Sequence, residues 1–154
     1  MGKVIFYHLT RNPLEVTAHM LLDRAYQTGW RVTVRGRDPA VLARLDDTLW
    51  LGNKGSFLPH GLAGGDHDAD QPILLTQHQT CPNRPDCLMV IDMADITPED
   101  ADGLERMWVL FDGNETAALT HARSQWKAVT AAGMHAEYWS EDSGRWQMKA
   151  QSGK

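Results

Sequence analysis

The alternation of apolar and polar residues divides the chain into strand-like and helix-like segments. The first apolar run, Lys3 to Leu9, is rich in aromatic and β-branched residues and predicts a buried strand. After it, apolar residues recur at helical spacing and predict a helix from Leu14 to Thr28, which Gly29 would end. Asn12 is expected to cap this helix, with Pro13 at its first position.

Strand-like and helix-like segments continue to alternate, and alternation of this kind is typical of parallel strands joined by right-handed helical crossovers. Further strands are predicted at Trp30 to Val34, Ile73 to Thr76, Leu88 to Asp92, Met107 to Asp112, Met134 to Trp139 and Arg145 to Lys149. Further helices are predicted from Asp38-Pro39 to about Leu49, from Pro98 to Leu104 and from Asn114 to Ala132.

These segments predict an α/β three-layer sandwich with a mostly parallel, Rossmann-like sheet. The last two strands flank a Ser- and Gly-containing turn at 140–144, which is typical of a C-terminal β-hairpin. Residues 52–72 are rich in Gly and Asp and are expected to form a long surface loop. We expect one α/β domain over residues 1–150, followed by a flexible tail at 151–154.

Composition and charge narrow the classes of function. With 154 residues and 42% hydrophobic content, the chain fits a single domain with a real core. Its formal net charge of -5 disfavours direct DNA binding, because proteins that grip DNA need a basic face for the phosphates. No apolar run approaches the length of a membrane span, and 2 cysteines are too few for a secreted disulfide scaffold. These features favour a cytoplasmic protein without membrane contact.

Cofactor and metal motifs are weak in this sequence. The turn after the first strand, HLTRNP, lacks the G-x-G-x-x-G pattern, and the glycines at 61–65 follow no clear strand. His78, Cys81 and Cys87 lie near one another but would still lack a fourth zinc ligand. We therefore expect no metal, no cofactor and no catalytic residue.

An alternative hypothesis is a small nucleotide- or metal-dependent α/β enzyme. Asp92 and Asp112 are predicted at strand ends, where acidic residues of this fold class can bind Mg²⁺. Most such acids face solvent, and neither has an obvious base or phosphate loop beside it.

Large apolar residues near the end of the second helix indicate a protein-binding surface. Trp50 and Leu51 close the helix, and Phe57, Leu58 and Pro59 follow in the Gly-rich loop. Exposed aromatic residues in such a position suit a groove for a partner's side chains. The competing interpretation is that Trp50 closes the core beneath the loop.

A second candidate surface lies on the last long helix. Arg123 and Lys127 are separated by one helical turn, and Trp126 shares their face. Arg can grip a carboxylate with two hydrogen bonds, Lys adds a point charge, and Trp offers an apolar wall. The cluster could bind a carboxylate-bearing peptide, or it could be a solvated face with a partly buried Trp.

Three segments, in this order along the chain, resemble the chi-subunit family of bacterial DNA polymerase III. They are FYHL at the end of the first strand, LWLGNKGSFLPHGLAGG at 49–65 and RSQWKAVTAAG at 123–133. The resemblance implies a nucleotide-binding-like α/β fold without nucleotide chemistry, in a non-catalytic accessory subunit of the polymerase complex. Such a subunit joins the psi subunit, which connects to the clamp loader, and binds the acidic C-terminal tail of single-stranded-DNA-binding protein.

The resemblance also implies roles for individual residues. Trp50, Phe57, Leu58 and Pro59 would form the surface for psi, which a helicase-like partner could share. The residues implied for the tail site are Arg123, Trp126 and Lys127.

This sequence departs from the family at the tail site. Leu119 stands where family members often carry a basic residue, and Trp126 stands at an aromatic Tyr position. The acidic segment from Asp112 to Glu115 would also oppose an acidic tail. These departures predict a weaker tail site than is usual for the family.

Overall fold

The computed structural model describes residues 2–51 and 58–153, which form one mostly parallel sheet covered by helices. The strands are β1 (Lys3–Leu9), β2 (Val32–Arg35), β3 (Gly61–Leu62), β4 (Ile73–Thr76), β5 (Cys87–Val90), β6 (Arg106–Asp112), β7 (Ala136–Ser140) and β8 (Gln147–Ser152). The α-helices are α1 (Leu14–Thr28), α2 (Pro39–Leu51) and α3 (Thr116–Ala131), and short 3₁₀ turns occupy Asp68–Asp70 and Pro98–Ala101.

The sheet has the order β3-β4-β2-β5-β6-β1-β7-β8. Among the described strands, neighbours pair in parallel except β7 and β8, which form an antiparallel hairpin. This arrangement confirms the predicted α/β fold with its C-terminal hairpin. Strand β8 extends through Ser152, so the hairpin includes two residues that the sequence assigned to a flexible tail.

Alternate residues of each central strand pack on opposite faces of the sheet. Helices α1 and α2 cover one face, where Ile5 and Trp108 belong to the buried cluster. Helix α3 covers the other face, where Phe6 and Val109 are buried. The result is the predicted three-layer sandwich.

The periodicity of α1 was predicted correctly, but its cap was not. Ala18, Leu22 and Ala25 are buried, and Gly29 ends the helix with a φ of 90°, a left-handed conformation that glycine adopts easily. Asn12 makes no capping bond to α1. Its side-chain amide instead donates to Glu141 in the β7–β8 turn, at 2.8 Å.

The start of α2 is stabilised by two carboxylates. The backbone N–H of Ala40 donates to Oδ1 of Asp38 at 2.8 Å, as the predicted cap requires. Oδ2 of Asp92 accepts the N–H groups of Arg37 at 3.1 Å and Asp38 at 2.7 Å. Asp92 lies beyond the end of β5, with a positive φ of 55°, rather than within the strand.

Buried polar residues, instead of a helix, connect strand β2 to the loops that cover it. Arg35 is 1% exposed. Its guanidinium donates to both carboxylate oxygens of Asp100, at 3.1 and 3.4 Å, and to the carbonyl oxygen of Gln79 at 2.9 Å. The side-chain amide of Asn83, fully buried, donates to the carbonyl oxygens of Val32 and Gln71, each at 3.1 Å. The loop from 77 to 86 is therefore anchored over strand β2.

Two segments differ from their predicted form. The helix expected from Pro98 to Leu104 is a 3₁₀ turn, Pro98–Ala101, closed by a capping box between Thr97 and Asp100. Within the long loop expected at 52–72, Gly61–Leu62 pairs with β4 as the edge strand. Positions 52–57 of that loop lie outside the described residues.

Candidate protein-binding surfaces

The first candidate surface, the α3 basic face, consists of Arg123, Trp126 and Lys127. Arg123 and Lys127 are exposed, whereas Trp126 is half-buried against the core. The Trp126 ring meets Phe6 and Tyr138 edge to face, with centroid distances of 5.4 and 6.0 Å. The indole is therefore fixed in orientation beside two exposed positive charges, an arrangement that can hold an anionic group and an apolar group together.

Tyr138 is a part of this surface that sequence reasoning missed. Its hydroxyl lies 2.7 Å from Nδ1 of His8, which positions the half-buried ring beside Trp126. Burial raises the pKa of the Tyr138 phenol, the positive charge of Arg123 lowers it in part, and Asp142 raises it. Because these contacts join strands and a helix that are far apart in sequence, no local pattern could have identified Tyr138.

The residues at which the predicted tail site departs from the family can also be located in the structure. Leu119 packs against the core beneath α3, so it extends the apolar part of this surface. Glu115 precedes the helix, eight residues before Arg123. At 1.5 Å per residue the separation along the axis is about 12 Å, which exceeds the Debye length of about 8 Å at physiological salt. The acidic helix entry is therefore well screened from Arg123.

The second candidate surface, the α2 aromatic end, consists of Trp50 and Leu51. Their exposed fractions are 55% and 83%, although both are large apolar residues. A groove of about 560 Å³ between α1 and α2 adjoins Leu51, and Val16 and Met20 line its α1 side. Exposed apolar residues beside a groove are typical of a protein-binding surface.

His60 anchors the segment that begins at residue 58 to helix α2. Its imidazole is buried, with Nδ1 2.6 Å from the carbonyl oxygen of Leu58 and Nε2 3.1 Å from a carboxylate oxygen of Asp46 in α2. The Trp50 ring lies over it at a centroid distance of 4.5 Å. His60 was not among the predicted site residues, and its role depends on a tertiary contact.

The remaining residues assigned to this surface differ in position. Leu58 is 1% exposed and belongs to the core on the α1–α2 side of the sheet, so its side chain contributes to folding. Pro59 is half-buried. Phe57 lies outside the described residues.

The carboxylates of the alternative enzyme hypothesis have structural partners. Asp92 holds the start of α2, as described above. Asp112 accepts the backbone N–H of Asn114 at 2.9 Å, in the turn that leads to α3. Both acids line a crevice of about 470 Å³ at the carboxyl ends of β1 and β6.

The cysteines lie on opposite sides of the sheet. Cys87 is fully buried in the cluster that faces α1 and α2. Cys81 lies in the loop over the opposite face, where its thiol approaches the carbonyl oxygen of Gln79 at 3.9 Å. Both are free thiols, and the described residues include no group of three or more His, Cys, Asp or Glu side chains placed to hold a metal ion.

No helix within residues 2–51 and 58–153 combines the length and apolar character needed to cross a membrane.

The described part of the chain is an α/β protein with two candidate surfaces for other macromolecules, one basic and one aromatic. Comparison with known proteins shows to which family the chain belongs. Residues 1–137 match the family model described as DNA polymerase III chi subunit, so the chain belongs to the chi-subunit family.

A curated relative agrees with this assignment. The "Probable DNA polymerase III subunit chi" of Rickettsia prowazekii (strain Madrid E) is 29% identical to the chain over 97 residues. The match covers 62% of this chain and 58% of the relative. Both names describe a polymerase subunit, which agrees with the expectation of a non-catalytic accessory subunit rather than an independent enzyme.

Proposed function

We propose that the chain links two components of the bacterial replication machinery in the cytoplasm, as a non-catalytic accessory subunit of DNA polymerase III. In this proposal the α3 basic face binds the acidic C-terminal tail of single-stranded-DNA-binding protein. The α2 aromatic end binds the psi subunit, which connects to the clamp loader. The chain itself makes no direct contact with DNA.

The arrangement of the α3 basic face is the observation that carries the tail-binding part. Arg123 and Lys127 are exposed one helical turn apart, so both can reach the carboxylates of one extended peptide. Trp126 between them is held by Phe6 and Tyr138, and its open part offers an apolar wall to a hydrophobic C-terminal residue. A fixed aromatic wall lowers the entropic cost of binding.

Calorimetric titration with a peptide that carries acidic residues and a hydrophobic C-terminus tests this site. Arg123→Ala is expected to reduce binding by about 2 kcal/mol or more, as anchor residues do. Arg44→Ala is the matched control, since Arg44 is also an exposed helical arginine but lies on α2, across the sheet. Unchanged affinity in Arg123→Ala would contradict the assignment of the tail to this face.

The α2 aromatic end supports the psi-binding part. Trp50 and Leu51 expose large apolar areas beside the α1–α2 groove, and α2 and α3 lie on opposite faces of the sheet. One molecule could therefore hold the two partners at the same time. A helicase-like partner that used the aromatic end would compete with psi and leave the tail site accessible.

Co-purification with psi tests this surface. Trp50→Ala and Phe57→Ala are each expected to weaken retention of psi while tail-peptide affinity stays unchanged. A variant that loses both psi binding and tail-peptide binding would be misfolded. Full retention of psi by both variants would contradict the proposal. Lys127→Ala is a useful reciprocal control, because it should weaken the tail and spare psi.

A further inference from the structure

The flank of α3 that faces the C-terminal hairpin meets strand β7 in a pair of rings, which we call the aromatic corner. Its members, Trp126 and Tyr138, are both half-buried, and their rings cross at 86° with centroids 6.0 Å apart. Tyr138 pairs with Ala150 of the edge strand β8, and paired residues share a face of the sheet. A methyl group, instead of a larger side chain, therefore adjoins the Tyr138 ring on the side of β8.

The aromatic corner lies beside the positive charge of the α3 basic face. Arg123 precedes Trp126 by one helical turn, so the two side chains share this flank of the helix. Burial raises the pKa of the Tyr138 phenol, and the nearby charge of Arg123 lowers it in part. A cation and two apolar walls thus meet at one place. This combination suits a peptide that carries acidic groups and a large apolar side chain.

His8 holds one wall of the aromatic corner in place. Its Nδ1 lies 2.7 Å from the hydroxyl oxygen of Tyr138, within hydrogen-bonding distance, and the two rings cross at 89°. The imidazole is itself confined, because Phe111 lies at a centroid distance of 5.1 Å and a Cβ on Gly113 would overlap the ring. A tyrosine side chain has several staggered rotamers, and the bond to a fixed imidazole selects one of them.

We propose that Tyr138 is a specificity-determining residue of the tail site, the wall that selects a large apolar side chain at the C-terminus of the bound peptide, and that His8 is its positioning residue. The hydrogen bond between them keeps the phenol ring at a right angle to Trp126. The terminal side chain packs between the two rings while acidic groups of the peptide reach the α3 basic face. This inference rests on the proposed tail binding and deepens it.

Loss of the hydrogen bond should weaken the apolar contact more than the ionic one. A phenol ring that is no longer held in one rotamer must be ordered when the peptide binds, and this ordering has an entropic cost. Arg123 and Lys127 belong to α3 and do not depend on His8 for their positions. The quantity that changes is therefore the discrimination between terminal side chains, and the attraction for acidic groups is retained.

The experiment titrates the full chain with two peptides that carry the same acidic residues, one ending in leucine and the other in alanine. Wild type is expected to bind the leucine peptide about tenfold more tightly, as partial burial of three further carbon atoms allows. His8→Leu and Tyr138→Phe are each expected to reduce this ratio to less than about threefold, since both remove the hydrogen bond. His8→Asn can place an amide oxygen near the position of Nδ1 and is expected to restore most of the ratio.

The ratio of the two affinities separates positioning from folding, because partial unfolding lowers both affinities by the same factor. An unchanged ratio in Tyr138→Phe would overturn this inference and leave the proposed tail binding in place. A wild type that binds neither peptide would overturn both. The double variant of His8→Leu and Tyr138→Phe should lose no more discrimination than either single variant, and additive losses would overturn the role of His8. If His8→Leu does not fold, Tyr138→Phe tests the same hydrogen bond from its other end.

Discussion

The ring of Trp50 lies over the ring of His60, with a centroid distance of 4.5 Å and an interplanar angle of 47°. His60 is buried and tied to Asp46 of α2, so the indole rests on a fixed support instead of projecting freely from the helix end. Both residues belong to the segment at 49–65 that resembles the chi-subunit family, and the contact shows that they have different structural roles. Trp50 presents a surface, and His60 anchors the chain that returns beneath it.

Substitution of His60 should therefore lower stability much more than substitution of Trp50. His60→Ala removes two buried polar contacts and exposes the packing beneath Trp50, and we expect a loss of about 1–3 kcal/mol in the free energy of unfolding. Trp50→Ala, at 55% exposure, should cost much less. Urea denaturation of both variants makes the comparison, and equal losses would contradict the division of roles.

Arg35 is predicted to be the most sensitive charged residue of the sheet. Its removal leaves Asp100 without its ion-pair partner and frees the loop anchored through Gln79. Loss of one partner of a buried pair typically costs about 3–5 kcal/mol, so Arg35→Ala should unfold at much lower denaturant concentration. Arg44→Ala, an exposed arginine in the next helix, should stay within about 0.5 kcal/mol of wild type.

How much of this arrangement the sequence predicts depends on the range of the contacts involved. The bounds of β1 and α1 follow from local periodicity, because Ala18, Leu22 and Ala25 repeat on the buried face. The role of Asn12 could not be predicted in this way. An Asn before a Pro-initiated helix is a normal cap, and only the fold brings Glu141 close enough to take its amide.

The candidate surfaces show the same limit. The spacing of Arg123 and Lys127 gives a shared helix face from sequence alone, as the structure also shows. Leu58 was predicted on the partner-binding surface from its place in a Phe-Leu-Pro run, and local sequence gives no sign that its side chain is buried in the core. Tyr138 and His60 act through contacts across the sheet and between segments, which no local pattern encodes.

Glu137 is predicted to make stability depend on acidity. Burial raises the pKa of its carboxyl, but hydrogen bonds from Trp139, His135 and Lys3 outweigh this, and the pKa falls from 4.5 to about 2. Because the folded-state pKa is below the unfolded value, the contribution is present above about pH 4.5 and is lost as the pH falls toward 2. Glu137→Gln should be less stable than wild type at pH 6, and the difference should shrink toward pH 2.

Chemical denaturation across this pH range checks the prediction. Glu115→Gln is a suitable control, because Glu115 is exposed at the start of α3. The substitution removes one acidic group without breaking the hydrogen bonds around Glu137. A difference between Glu137→Gln and wild type that stays constant from pH 6 to about pH 2 would be inconsistent with the lowered pKa.

Gly113 is predicted to be required by the position of His8. A Cβ at residue 113 would overlap Cδ2 and Nε2 of the His8 ring. The ring has little freedom to retreat, because Tyr138 holds its Nδ1 and Phe111 lies at a centroid distance of 5.1 Å. Gly113→Ala should therefore cost about 1–3 kcal/mol, as overpacking does.

A double mutant separates this clash from a backbone effect. His8→Ala removes the ring, so Gly113→Ala added to it should cost little more than His8→Ala alone. Additive losses would show that the glycine is needed for another reason. Because Tyr138 adjoins Trp126, Gly113→Ala is also expected to weaken tail-peptide binding, whereas a distant destabilising variant such as Arg35→Ala should not do so under conditions where it remains folded.

The hypothesis of a nucleotide- or metal-dependent enzyme can be separated from purely structural roles of Asp92 and Asp112, because the two predict different unfolding midpoints with added ligand. If Asp92 acts through the start of α2, Asp92→Ala should cost about 1–2 kcal/mol of stability, as loss of a helix cap does. Wild type should keep its unfolding midpoint when nucleotides and Mg²⁺ are added, because the backbone N–H groups of the turn between β1 and α1 already donate to Glu141. A rise of several degrees that disappears in Asp92→Ala or Asp112→Ala would favour the enzyme instead, since ligands that bind the folded state raise the midpoint by mass action.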